Sequence, residues 1–555
     1  MSLPAFSTQS ELFSTAGLSG GLFAETDRFR LFAKLVYPRI AQVRSQLAAG
    51  YCLDNGRSAI EPVLLLGVSL LQYLEAIPDR QAVDLLRYHV GWNFALNRQV
   101  GDELFHPTTL VNFRQRLLEH ELSAVAFQTV LDALIQAGLV ARQSRQRLDS
   151  TQMFGRVSRM SRLDCVRESL ELALRELEAV VKPESRPPFW VALWERYVES
   201  RVDYRCGSQT LARKLVEAGA DAYPLLDWLR SQTQPEWAQG QQVQLLARVF
   251  AEQFDVVAGT ASPQVKGKEQ LDSGRVQNPH DPEATYSTKG KGEARKEHVG
   301  YKVQVAESVS EATLPAGQPT RNFITGITTH RAFESDEAGA LKMQAEQAEM
   351  GLDKPPVQYV DGAYVSGQLL AAAAAEGREL MGPASGAAEN GGRFTTEQFV
   401  VSVEQRKAVC PAGHTNTQCS RLKEGQSRKV VFRFEWSTLC VACPLRTQCV
   451  GPKQKHRTIE VSEHHSALQV RRLEQRTDAF KQRMKHRNGI EGTQSELVRG
   501  HGMRRARYRG LAKARLQNYF IGAACNVKRW IRQEVWKLKQ AVSAGAAQVA
   551  NATAG

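Results

Sequence analysis

Three acidic residues stand far apart in the chain in settings that could do chemistry: Asp149 in Arg-Leu-Asp-Ser-Thr, Asp361 in Tyr-Val-Asp-Gly-Ala-Tyr, and Glu491 in Arg-Asn-Gly-Ile-Glu-Gly-Thr. Carboxylates bind hard divalent cations, which can activate a nucleophile and stabilise a leaving oxygen at phosphorus. Glu491 lies inside the most basic part of the chain. Residues 453–540 hold 22 Lys and Arg against 7 Asp and Glu, so this stretch alone exceeds the net charge of +14 carried by all 555 residues. A surplus so localised reads as a surface for a polyanion rather than as a solubility feature. Metal ions held by acids against nucleic-acid phosphate fit both observations.

Spacing sharpens each acid differently. An apolar run, Val357-Gln-Tyr-Val, delivers Asp361 at its end, and Gly362 permits a sharp exit with close backbone approach. Arg483, Arg487 and Glu491 recur every four residues and would share one helix face, two guanidinium groups beside one carboxylate. Gly489 and Gly492 cost helix stability, which argues against a purely stabilising ladder. Asp149 has the ambiguity of any Asp that could cap a turn.

Five of the nine cysteines cluster in Cys410-Pro-Ala-Gly-His414, Cys419 and Cys440-Val-Ala-Cys443-Pro-Leu-Arg-Thr-Gln-Cys449. A Cys-x2-Cys pair forms half of a zinc knuckle whose other ligands come from a distant turn; buried free thiols are the alternative. Cys52, Cys165, Cys206 and Cys525 show no such spacing and read as core residues.

Taken together, Asp-Ser-Thr, Asp-Gly-Ala-Tyr, and Arg-x3-Glu followed by Arg504-Arg-Ala-Arg-Tyr-Arg-Gly510 resemble the D, D and E blocks of bacterial insertion-sequence DDE transposases, over about residues 31–530. The resemblance implies a ribonuclease-H-like catalytic domain with Asp149, Asp361 and Glu491 as catalytic ligands of two Mg²⁺ or Mn²⁺ ions. It further implies double-stranded DNA as partner, both as terminal inverted repeats and as target, and a homo-oligomer in the synaptic complex. It favours Cys410, Cys440, Cys443 and Cys449 as ligands of one structural Zn²⁺, with His414 and Cys419 in reserve. The related Tyr-x2-Arg-x3-Glu-x6-Lys signature is incomplete: Met484 and Val498 replace Tyr and Lys, and Arg499 is a displaced substitute for the lysine. Arg483, Arg487, Arg499, Arg504, Arg505, Arg507, Arg509 and Lys513 are then the DNA-contacting cations. Two other readings stand beside the transposase: a domesticated DDE nuclease that cuts without strand transfer, and a zinc-containing DNA-binding regulator without catalysis.

The elements that must position these residues follow from periodicity. Residues 1–25 read as a flexible arm and 26–140 as a helical DNA-binding domain, with Leu64, Leu65, Val68, Leu71 and Leu74 on one stripe. At its end Pro107 opens a helix with Leu110, Phe113 and Leu117 on one face. Thr109, Asn112, Arg114 and Arg116 then point elsewhere, either toward DNA as in a helix-turn-helix or simply toward solvent. Residues 141–156 hold the first catalytic strand, 157–270 a helical insertion, and 271–389 the continued catalytic core. In that core the alternation of Val299, Tyr301, Val303 and Val305 forms a strand that can pair with residues 322–329 as a hairpin. Residues 390–455 make a Cys-rich, β-containing insertion, 456–540 a basic helical region carrying Glu491, and 541–555 a disordered tail. The expected fold is multidomain, a helical N-terminal domain plus an α/β ribonuclease-H-like domain with two insertions. The first thirty residues show no signal peptide and the longest apolar run, about residues 62–74, is too short to span a bilayer; nine cysteines fit a reducing compartment. The expected location is the cytoplasm of a prokaryote-like cell, at the nucleoid, with no membrane partner.

Overall fold

The computed structural model describes residues 2–3, 15–52, 56–99, 102, 104–201, 205, 207–256, 263–290, 292–310, 315, 317–424 and 429–553. Six strands form its main sheet: β1 (Gln146–Phe154), β2 (Thr285–Lys289), β3 (Lys296–Ser308), β4 (Ile324–Arg331), β5 (Val357–Tyr359) and β6 (Glu379–Met381). β3 runs antiparallel to β1, β2 and β4, whereas β5 is parallel to β1 and β6 parallel to β5. Asp149 sits opposite Val305 in this register. The expected hairpin of residues 299–305 with 322–329 is the β3–β4 pair. β1 pairs with β3 across the long insertion between them.

That insertion leaves the sheet undisturbed because its two stems are tied together. Met160 N–H donates to Gln277 O (3.1 Å) and Asn278 Nδ2 to Ser158 O (3.0 Å), so the chain leaves after β1 and returns at the same place. Beyond the stems the helices Arg162–Glu178, Ser208–Ser231 and Gln241–Gln253 enclose a separate core that includes Leu170, Leu174, Leu226 and Leu246. The Cys-rich insertion also has its own core, around Phe399, Phe434 and Trp436, built on a three-stranded sheet of Gln418–Glu424, Lys429–Glu435 and Thr458–Ser462.

The N-terminal block, by contrast, has no core of its own. Leu65, Leu110 and Phe127 share one continuous hydrophobic cluster with Val303 and Ile327 of the sheet and Phe520 and Ile531 of the C-terminal helix Leu511–Thr553. Helix Pro62–Leu74 is buried around nearly its whole circumference rather than along one stripe. The C-terminal helix is the post between the two: Phe520 stacks on Tyr73 (5.3 Å between centroids), and Asn526 exchanges two 2.9 Å hydrogen bonds with the Ile324 backbone. It runs on through Thr553, where a disordered tail was expected; alanine-rich sequence propagates a helix without an apolar stripe. Of the expected arm, residues 1 and 4–14 lie outside the described residues, and Thr15–Ser19 is helical. Residues 554–555 and Cys206 also lie outside them.

A buried ion network joins these parts. Glu307 of β3, fully buried, accepts from Arg147 Nε of β1 (2.5 Å), from Thr493 Oγ1 (2.7 Å) and from Arg529 Nη1 of the C-terminal helix. Arg529 also donates to Thr493 Oγ1 (2.8 Å), Glu496 Oε2 (3.0 Å) and Asn322 O (3.0 Å). Truncating one partner strands the others' charges in a low-dielectric interior. Glu307→Ala should therefore lose about 3–5 kcal/mol in denaturant unfolding; a loss below about 1 kcal/mol, the range of exposed pairs, would mean that the network is not closed in solution.

Candidate active site

Asp149 lies in the middle of β1, a strand buried along most of its length. The parallel register pairs Gln146 with Gln358 and Arg147 with Tyr359; continued by two residues it sets Asp361 beside Asp149 on the same face. Asp361 follows the end of β5 and caps the turn Gly362–Tyr364, accepting from Ala363 N–H (2.9 Å) through Oδ1. Gly362 keeps this turn close to its neighbour: a Cβ would lie 3.1 Å from Pro383 O, tighter than an ordinary contact. Behind the turn, buried Tyr364 donates its hydroxyl hydrogen to Gln304 of β3, which fixes the exit of the chain.

The two aspartates converge on one cation. Arg487 Nη2 lies 2.9 Å from Asp149 Oδ2 and 3.8 Å from Asp361 Oδ2. Burial pushes the Asp149 carboxyl above the usual aspartate range, Asp361 adds to the rise, and the Ser150 N–H (2.8 Å) and the Arg487 charge oppose it.

Glu491 arrives on a short helix, Gly489–Ser495, laid against β1. Arg147 Nη1 donates to His486 O (3.0 Å) just before it, and Gln494 Nε2 to Ser150 O (3.1 Å) within it. Gly489 makes the approach possible, since a Cβ there would fall 2.0 Å from Arg147 Nη1. Ile490 points into the core and the Glu491 carboxylate is exposed, with no hydrogen bond or ion pair among the described residues. All three acids thus flank the same stretch of β1. All three offer only oxygen donors; Arg487 stands between Asp149 and Asp361, and the three carboxylates do not gather within 4.8 Å of one another.

The shared face expected for Arg483, Arg487 and Glu491 does not form. The chain passes from α-helix (Asp478–Met484) through a 3₁₀ turn (Lys485–Asn488) to α-helix and then to a π-turn (Glu496–Gly500), so a four-residue spacing no longer means one face. Arg483 turns to Glu379 in a bidentate pair, and Arg487 pairs with Asp149 and lies near Asp361.

Among the other expected DNA contacts, Arg499, Arg504, Arg505, Arg509 and Lys513 are exposed. The basic segment docks on the end of β1, with Phe154 N–H donating to Arg504 O (2.9 Å) and Ala506 N–H to Phe154 O (2.8 Å). Arg507 is a correction: it donates to Ile77 O (2.9 Å) and lies over the Tyr73 ring, binding the N-terminal block. Arg114 is another, for it is buried and paired with Asp79 at 3.0 and 2.5 Å. Its helix, Thr108–Glu119, is separated from helix Val90–Ala95 by residues 96–107, too many for the three- or four-residue turn of a helix-turn-helix. Asn112 is exposed, Thr109 half-buried, and Arg116 lies over the Tyr51 ring at 4.5 Å.

Cys410, Cys440, Cys443 and Cys449 line one small cavity of about 20 Å³ together with His414 and Trp436. Burial pushes the Cys449 thiol up to about 11, with the neighbouring Cys440, Cys410 and Cys443 adding to it and Arg457 opposing. Cys440 Sγ already accepts from Arg457 N–H at 3.4 Å. The four thiols thus line the same cavity, and no three of their sulfurs lie within 4.8 Å of one another. Cys165 and Cys525 are buried as expected, whereas Cys52 is exposed.

Reading the sequence singled out none of Arg147, Glu307 and Gln494, which position the site. Arg147 stands within the quoted Arg-Leu-Asp block, two residues before Asp149, and that proximity was its one available signal.

Residues 409–531 match the family model described as "Transposase DDE domain", and residues 21–116 match that of "Transposase domain (DUF772)". The first range holds Glu491, Arg487, the four cysteines and the basic segment; Asp149 and Asp361 fall outside both. No curated protein and no solved structure matches the chain. Among the described residues no helix is long and apolar enough to cross a membrane.

Because Asp149 binds its proton more tightly in the fold than an ordinary aspartate, its ionisation opposes folding, and stability declines as pH rises through that range. Arg487 limits the decline. The destabilisation caused by Arg487→Gln should therefore be smallest near pH ~4, around the ordinary aspartate value, and should grow toward neutrality in denaturant titrations. A difference that stays constant with pH would show that Arg487 does not face Asp149 in solution.

Proposed function

We propose that this chain, which matches two transposase family models, is an insertion-sequence DDE transposase that cuts the ends of its element and joins them to target DNA by in-line phosphoryl transfer at Asp149, Asp361 and Glu491. The observation that carries this reading is the convergence of Asp149 and Asp361 on Arg487, beside a strand against which the Glu491 helix is laid. The mixed sheet, antiparallel from β4 to β1 and parallel from β1 to β6, supports a ribonuclease-H-like catalytic domain.

The three carboxylates would hold two Mg²⁺ or Mn²⁺ ions. Bound there, such ions sharpen the attacking water or 3′-hydroxyl and stabilise the leaving oxygen. The protein's own contribution is placement. β1 fixes Asp149 rigidly, the capped turn fixes Asp361, and the exposed Glu491 stays accessible from the solvent side, where a duplex would lie. Arg487 offsets the repulsion between two carboxylates that share one side of the sheet. Exchange of one phosphodiester for another needs no energy cofactor.

Around the site, exposed Arg499, Arg504, Arg505, Arg509 and Lys513 would contact phosphates, with Asn112, Thr109 and Arg116 as further contacts from the N-terminal block. Four cysteine ligands would close a structural zinc site with no open position for catalysis. The setting is a homo-oligomer on paired terminal repeats, in the cytoplasm at the nucleoid.

Asp149→Asn, Asp361→Asn and Glu491→Gln should each abolish Mg²⁺-dependent cleavage and joining of terminal-repeat DNA while leaving its binding within a few-fold of wild type. Strand transfer by any one of them removes that residue from the site.

Changing Arg504, Arg505, Arg509 and Lys513 together to Ala should lower the slope of log K against log salt by about 3–4, whereas Arg507→Ala should instead lower thermal stability. An unchanged slope would direct those four side chains away from DNA. Cys440→Ser should cost one zinc by elemental analysis and destabilise the Cys-rich insertion; metal-free wild type of normal stability would exclude the zinc assignment and leave the acids untouched.

A further inference from the structure

The helix that carries Glu491 runs into the π-turn Glu496–Gly500, a geometry that recurs at functional positions. His501 follows it, fully buried, with Nδ1 3.0 Å from Tyr73 O. That contact fixes the tautomer: Nδ1 carries the hydrogen and donates it, leaving the lone pair on Nε2. Nε2 is buried and makes no hydrogen bond. Two further donors converge on it. Glu496 Oε1, also buried and without a hydrogen bond, and Cys525 Sγ, from the fully buried wall of the C-terminal helix, lie with His501 Nε2 within 4.8 Å of one another. No other group of three or more His, Cys, Asp or Glu ligand atoms is so close among the described residues.

We propose that Glu496, His501 and Cys525 form a binding site for one Zn²⁺ ion, separate from both the three acids and the cysteine cluster. An imidazole whose second nitrogen donates to a backbone carbonyl is the usual arrangement of a metal-bound histidine. Thiol, imidazole and carboxylate together select a borderline-soft cation and exclude Mg²⁺. The surrounding charge sets a limit. Glu496 Oε2 is committed to Arg529 at 3.0 Å, while Lys528 and Arg532 stand 3.3 and 3.6 Å from Oε1. These two reach in from the solvent side, 32% and 56% exposed, so their charged ends can be rehydrated if an ion takes their place beside Oε1. On binding, the Cys525 S–H loses its proton to solvent and the thiolate donates the electron pair, so zinc adds one net positive charge, not two. The ion would pin the helix bearing Glu491 to the C-terminal helix.

The experiment uses full-length protein stripped with chelator and reloaded with Zn²⁺ alone, in wild type, Cys525→Ser, His501→Gln and Cys440→Ser. Cys525→Ser and His501→Gln should each bind one equivalent fewer than wild type, and Cys525→Ser combined with Cys440→Ser should bind two fewer. In Cys440→Ser protein, Zn²⁺ should raise the melting temperature, and the added Cys525→Ser should remove that rise. His501→Gln carries the test should Cys525→Ser lose helical content. Equal zinc in wild type, Cys525→Ser and His501→Gln overturns the site. Loss of zinc in Asp149→Asn overturns it too, because the ion would then belong to the acids; retention there supports it.

Discussion

The carboxylate of Glu307 is the constraint on which the rest of the molecule depends. It is buried between Arg147 of the Asp149 strand and Arg529 of the C-terminal helix, and it also accepts from Thr493, two residues after Glu491. Taking these charges out of water is expensive, and their mutual attraction offsets the cost only where geometry and hydrogen bonding are good. Here they are: Arg147 also reaches His486 O, and Arg529 also reaches Thr493, Glu496 and Asn322 O. What such a network contributes above all is position. A shift of the Glu491 helix along β1 would break Thr493, His486 and Gln494 contacts together, so strand and helix move as one body.

The same logic extends outward through the C-terminal helix. Its buried side shares a core with the N-terminal block and with the sheet, and the basic segment before it is hydrogen-bonded to the end of β1. Arg507 and Tyr508 complete the joint: Arg507 lies over Tyr73, the Tyr508 hydroxyl is 3.3 Å from that of Tyr73, and Arg114 stacks on Tyr508 while paired to Asp79. Arg504, Arg505 and Arg509 are thus carried by a segment bonded to the strand of Asp149. Two insertions with separate cores are attached to this frame, the helical one by tied stems.

How much of this the sequence disclosed depended on whether a residue's role is local. The β3–β4 hairpin was readable because strict alternation at Val299, Tyr301, Val303 and Val305 is a property of the strand itself. Pairing of Asp149 with Asp361 was foreshadowed by their settings, but the register that sets them side by side is a tertiary fact. Arg114 and Arg507 were misjudged because an arginine on the polar face of a helix or in a basic run looks the same whether it meets phosphate or a buried aspartate and an aromatic ring. The four-residue ladder of Arg483, Arg487 and Glu491 failed for a different reason. It assumed one uninterrupted α-helix, whereas packing against Arg147 and Glu307 drives the backbone through 3₁₀, α and π turns.

Donor chemistry separates the metal-binding possibilities of this chain more sharply than distance does. The three acids offer only oxygen, and Glu491 is open to solvent, as a site must be if substrate phosphate is to share the coordination of Mg²⁺. The cysteine cluster offers sulfur and lies against an apolar core of its own; a closed zinc site there would add its binding energy to that of the fold. Glu496, His501 and Cys525 sit between these extremes, largely buried and mixed, with Glu496 five residues after Glu491. Because Mg²⁺ avoids thiol and imidazole while Zn²⁺ prefers them, the three sets do not compete for one ion. A soft-donor site there would brace the Glu491 helix from behind without drawing on a hard cation bound by the three acids.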